Sequence, residues 1–160
     1  MMKHCALYLS LVFLFACNTA NKNMADIQMP QSVRDAIEKR EFTIQVNDMA
    51  PQRYHSRILT SPYDIKVKDG LLYSNLPYLG QVQTPSVYTS TPKGLNFIEE
   101  IKEFSFTDNT RKKRVEITIK VRNEEDAYVY QISISYNADA EVIVRPMKRD
   151  FIRFYGQLTE

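Results

Sequence analysis

Tryptophan is absent from these 160 residues, and cysteine and histidine occur only twice each. His4 and Cys5 fall in an apolar leader, so a processed chain keeps only Cys17 and His55. One histidine cannot supply the three or four Cys or His ligands that zinc takes, so no metal or other cofactor is expected. The Gly-x-Ser-x-Gly elbow is missing as well. His55 with Asp48 or Asp64 and a serine makes a triad in name alone, because triads are defined by geometry. A strong excess of one charge is also lacking. The net charge is +2 and falls by one when Lys3 leaves with the leader, which gives no long-range field for nucleic acid. A bilayer-spanning helix needs roughly 20 apolar residues, and the run Ala6 to Phe15 is too short.

That short run has another reading. Lys3 and His4 precede it as a positive n-region, so residues 1–16 read as a signal peptide. Leu14-Phe15-Ala16-Cys17 is similar to a bacterial lipobox, in which the cysteine is acylated and becomes the new N-terminus. Cleavage with Cys17 merely nearby is the alternative, and it would leave an exported chain with one unpaired thiol. Lipidation at Cys17 is therefore expected, and with it a membrane partner. Acyl chains contribute ~0.8 kcal/mol per buried methylene, so two or more hold a protein to a membrane durably. Residues 17–29 read as a flexible tether with a reach of ~20 Å.

Residues 30–160 have the size and composition of one globular domain, with 44% hydrophobic and 25% charged residues over the whole chain. Val33, Ala36 and Ile37 share a face of a short helix, with Ser32 as its expected cap and Asp35 three residues on. Thereafter the pattern has period two. Phe42, Ile44 and Val46 alternate with polar residues, as do Tyr63, Ile65 and Val67, and then Val115, Ile117, Ile119 and Val121. Asp69-Gly70 is a two-residue hairpin signal, and short polar turns at 123–126 and 137–140 separate later strands. Such short connections require sequential antiparallel pairing. One small helix cannot cover a wide sheet, so the expected fold is mainly β. It is a curved antiparallel meander or partly open barrel of about eight strands with one short N-terminal helix. Residues 76–96 hold Pro77, Gly80, Pro85, Pro92 and Gly94, which rule out one long strand there.

Three stretches together carry a resemblance: Arg57-Ile58-Leu59-Thr60-Ser61-Pro62-Tyr63, Val67-Lys68-Asp69-Gly70 and Leu76-Pro77-Tyr78-Leu79-Gly80. With the ending Arg149 to Gly156, the chain from about Phe42 onward resembles domain of unknown function 4251. That resemblance implies a small Bacteroidota lipoprotein, a location in the cell envelope and a β-rich fold, and it supplies no catalytic residues. Surface-exposed lipoproteins of those bacteria tend to carry acidic residues just after the cysteine. Asn18 to Asn23 has none, so the periplasmic side is expected.

The remaining chemistry is sparse. Glu99, Glu100 and Glu103, and Glu124, Glu125 and Asp126, could serve acid–base work only if two carboxylates faced each other. Arg111 to Arg114 is a basic turn. Tyr128, Tyr130, Ile132, Ile134 and Tyr136 share one face of a single strand. Tyr128 and Tyr130 either line a pocket mouth or fill a core near a barrel rim. With Tyr54 and the Leu76, Pro77, Tyr78 and Gly80 block they form the expected ligand or partner surface. The expected function is a non-enzymatic envelope lipoprotein binding a partner protein or an apolar or glycan ligand. A hydrolase of envelope polymers and a module pairing through an edge strand are the alternatives.

Overall fold

The computed structural model describes residues 29–82 and 94–159. The expected leader 1–16, the lipid site Cys17 and the tether up to residue 28 lie outside the described residues. Met29, the last tether position, is described and is buried in the core.

The helix α1 (Gln31–Lys39) begins one residue before the expected cap. Pro30, extended at φ −51 and ψ 139, occupies the cap position and makes no side-chain cap bond. Ser32 thus lies inside the first turn, and Asp35 accepts from Gln31 Nε2 at 2.6 Å instead of closing a capping box. Arg40 ends the helix in the left-handed region at φ 58. Val33 and Ile37 are buried, while the Arg40 guanidinium lies 4.8 Å from the Phe104 ring centroid. The helix leans on the sheet, as so short a helix must.

Among the described residues nine antiparallel strands follow: β1 (Phe42–Pro51), β2 (Arg57–Lys68), β3 (Leu71–Leu76), β4 (Leu95–Glu100), β5 (Glu103–Asn109), β6 (Arg114–Arg122), β7 (Ala127–Ser135), β8 (Asp139–Pro146) and β9 (Ile152–Thr159). They form one sheet in the order β4-β3-β2-β1-β9-β8-β7-β6-β5. Two sequential meanders are thus joined at β1 and β9. Asp69 at φ 53 and Gly70 at φ 75 make the tight hairpin between β2 and β3. The outermost strands, β4 and β5, are consecutive in the chain. Where they meet, Ile101 N–H donates to Gly70 O and Lys102 N–H to Lys120 O, each at 2.9 Å, so one stretch of chain touches both flanks.

The sheet is curled into a half-barrel, and its concave side is the core. Ile44, Ile65, Leu72, Leu95, Ile119, Tyr130, Val142 and Phe154 are all fully buried there. Fully burying one such side chain is worth roughly 1.5–3 kcal/mol, so the concave face dominates the stability. The curl brings the two flanks together through side chains. Tyr130 OH on β7 donates to Ser74 Oγ on β3 at 2.9 Å, and Ser74 Oγ donates to Leu95 O at 2.7 Å. Phe97 packs beside them, 4.9 Å from the Tyr128 ring and edge-on to Tyr130 at 6.5 Å.

At the central seam the register shifts between Val46 and Asp48 on β1, against both β2 and β9. Gly156 faces Val46 at this bulge, and a Cβ there would lie 1.9 Å from Gln45 O. No side chain fits without moving backbone. Gly156→Ala is therefore expected to lower unfolding stability by roughly 1–3 kcal/mol in a urea titration, the usual cost of overpacking. Ser74→Ala strands the buried Tyr130 hydroxyl and is expected to cost about 1–3 kcal/mol. Tyr130→Phe leaves Ser74 bonded to Leu95 O, and the same titration should show the smaller loss.

Candidate functional site

Antiparallel pairing places the ends of β1, β3, β6 and β8 and the starts of β2, β7 and β9 at one pole of the half-barrel. The segment that follows β3 crosses this pole. Val82 bridges to Arg149, Asp150 N–H donates to Gln81 O at 3.0 Å, and Tyr78 OH donates to Asp150 O at 2.9 Å. Gly80 is needed for the crossing, since a Cβ would sit 2.5 Å from the Tyr78 hydroxyl. That is why the Pro-Tyr-x-Gly spacing reads as a unit: Tyr78 folds back under the residue two places on.

Three charged side chains are buried beneath the crossing segment: Arg149, Asp150 and Asp126. Arg149 lies between two aromatic faces, 4.9 Å from the Tyr78 centroid and 5.7 Å from that of Tyr128. Its Nη2 donates to Tyr128 OH at 2.7 Å, and its Nε is 3.9 Å from Asp126 Oδ2. Stacking and weak hydration make a guanidinium the cation best suited to such a slot. The Asp126 carboxylate accepts backbone N–H groups from Ala127, Met147 and Lys148 at 2.8, 3.2 and 3.1 Å, pinning the β6–β7 turn to the end of β8. Asp150 is 1% exposed. Its Oδ2 accepts from Arg53 Nε at 2.9 Å and Gln81 N–H at 3.1 Å, while Oδ1 is buried without a hydrogen-bond partner.

The expected surface residues separate into two groups here. Tyr54 is exposed on the β1–β2 turn, and Pro77, Tyr78 and Gly80 are half-buried in the crossing segment. Leu76, Tyr128 and Tyr130 are buried, so they support the pole from within and present no open mouth. Arg149 joins the two groups by contacting both Tyr78 and Tyr128. Apolar exposure at this pole comes from Tyr54, Ile58, Val82 and Met147. Arg149, Asp126 and Asp150 were not legible as a cluster. In sequence Asp126 reads as part of a short polar turn and Arg149 as the start of the C-terminal stretch, and only chain crossing brings them together with Asp150.

Elsewhere the candidate chemistry is dispersed. His55 is exposed and has no hydrogen-bond or ion-pair partner among the described residues. Glu100 pairs with Lys102, which lowers the Glu100 pKa through a hydrogen bond and the nearby charge. Glu103 pairs with Lys120 at 2.8 Å and Arg114 with Glu116 at 2.9 Å. Among the described residues no three His, Cys, Asp or Glu side chains group to hold a metal. The buried charges of the pole tie the β6–β7 turn, the β8–β9 connection and the crossing segment together.

Burial raises the pKa of Tyr78 to about 12, with the Arg149 cation pulling the other way. Tyr128 and Tyr130 are also raised by burial. A phenol whose folded pKa lies above its unfolded value of about 10 stabilises the fold fully below that value. The contribution is lost as pH rises toward the folded pKa, because the unfolded chain loses its proton first. Thermal stability is thus expected to fall from about pH 10 to pH 12, and Tyr78→Phe should flatten part of that fall. Melting curves across this range, with tyrosinate absorbance recorded in parallel, check it. A Tyr78→Phe profile as steep as that of the wild type would contradict the assignment.

No match is found among curated proteins. The family model described as Domain of unknown function (DUF4251) matches residues 25–158, which take in α1, β1 to β8, all but the last residue of β9 and the buried Arg149, and the chain belongs to that family.

Proposed function

We propose that this protein is a lipid-anchored, non-enzymatic binding module of the cell envelope, facing the periplasm and attached through Cys17. The leader and lipobox support the anchoring, because an exported chain with one thiol has an evident use for it as an acyl site. The observation that carries the binding role is the braced pole. Asp126 and Asp150 accept backbone N–H groups, Arg149 is stacked between Tyr78 and Tyr128, and Tyr54, Ile58, Val82 and Met147 remain outside. Pre-organised loops bearing exposed aromatic and Met side chains suit recognition, since little ordering entropy is lost on binding. A protein partner, an apolar ligand or a glycan can be met by such a surface.

Metabolic labelling with an alkyne fatty acid tests the anchor. The wild type should incorporate label and sediment with membranes, and Cys17→Ala should do neither. Label retained by Cys17→Ala would refute lipidation there. For the pole, photo-cross-linking residues placed at Tyr54 and Met147 in intact cells should give discrete adducts, whereas one at Lys68 should not. Equal adducts at all three positions, or none, would remove the pole as the binding surface.

A further inference from the structure

The convex face of the sheet carries an arrangement that chain order conceals. Strand register aligns Asp139, Gln157, Gln45, Asp64, Asn75 and Asn96 as direct cross-strand neighbours over β8, β9, β1, β2, β3 and β4. All six lie on the outer face and are exposed or half-exposed. Strands are about 4.8 Å apart, so the row extends on the order of 24 Å. Two of its members are already oriented by neighbours: Asn75 Nδ2 donates to Asp64 Oδ1 at 3.0 Å, and Gln157 Nε2 to Asp139 Oδ1 at 3.3 Å. The adjacent row contains Thr159, Thr43, Lys66, Tyr73 and Ile98. At the β4 end the two rows border an open groove of about 450 Å³, lined by Asp64, Lys66, Tyr73, Asn75, Asn96 and Ile98 among others.

We infer that this groove and the amide row bind a neutral, extended glycan. Planar amides and carboxylates spaced along a line offer paired donors and acceptors to successive hydroxyl groups. Tyr73, beside the exposed Ile98, supplies an apolar face against which the C–H side of a sugar ring can lie. The volume is within the range of small-ligand sites. Charge argues for neutrality: the two rows hold two carboxylates and one lysine, so neither a polyanion nor a polycation is matched. A protein partner fits poorly, since the cores of such interfaces are enriched in aromatic residues, Met and Arg. This surface is distinct from the braced pole, and the inference rests on the envelope reading only in that export would bring the face to glycans.

The test uses the described domain with residues 17–29 retained and Cys17→Ser, so that failure of lipidation does not affect it. Titrations followed by two-dimensional amide NMR would use neutral β-1,4-glucose, β-1,4-N-acetylglucosamine and α-mannose oligosaccharides. Free glucose and a polyuronate serve as the monosaccharide and charged arms. Shifts confined to β1 through β4, β8 and β9, with at least one neutral oligosaccharide bound more tightly than glucose, are expected. Tyr73→Ala and the Asn75→Ala, Asn96→Ala pair should each weaken binding about tenfold or more, and Tyr73→Phe should retain it. Folding of each variant is read from the same spectra. No shift with any neutral oligosaccharide at millimolar concentration, binding to the polyuronate alone, or full affinity in folded Tyr73→Ala would overturn the inference.

Discussion

A phenol and a serine hydroxyl hold the two flanks of this sheet at a fixed separation. Tyr130 donates to Ser74, and Ser74 donates to the Leu95 carbonyl, all within a volume from which water is excluded. In that volume an unmade hydrogen bond costs more than a made one contributes, so the relay acts chiefly as a constraint. Only one degree of curl satisfies all three groups. A flatter sheet would part Tyr130 from Ser74 and expose Phe97, whose ring packs against Tyr128 and Tyr130. The uniform apolar lining supplies the driving force for collapse, and the polar chain selects the geometry.

Much of this could be read from the chain. Alternation at 42–46, 63–67 and 115–121 gave strands and their buried faces, and Asp69-Gly70 gave its hairpin, because both signals are local. The family resemblance was legible for a related reason: the Pro-Tyr-x-Gly block encodes a short-range fold-back. What local signals could not supply was β4. Phe97 and Ile98 are adjacent apolar residues with no clean alternation, since Phe97 packs on buried tyrosines while Ile98 stays outside on a sheet edge. The helix start was misplaced because Ser32 is the better intrinsic cap, yet Pro30 in an extended conformation begins the helix sooner.

The pole shows the same division between local and long-range information. Tyr78 and Tyr128 were legible as interesting, but their relation depends on Arg149, which arrives from the β8–β9 connection. Nothing in the string Met147-Lys148-Arg149-Asp150 distinguishes the exposed Met147 and Lys148 from the buried Arg149 and Asp150. Burial follows from the crossing segment, whose backbone meets Asp150 through both its carbonyl and its N–H. Arg149 becomes structural there because the Tyr128 hydroxyl, the Tyr78 ring and the Asp126 carboxylate already face it.

Curvature also governs the outside. Bending the sheet toward the Tyr130 relay makes the other face convex, and on the Phe42 side of the bulge opposite Gly156 β1 keeps an unbroken register with both β2 and β9. That register sets Gln157, Gln45, Asp64 and Asn75 side by side. A one-residue slip on any strand would turn its member of the row inward, and would send an apolar side chain out in exchange. The penalty for exposing Ile44 or Ile65 therefore protects the alignment of Gln45 and Asp64, although neither polar side chain adds much stability of its own. Surface order on this face is a consequence of core order, which is how a site can be held rigidly without being buried.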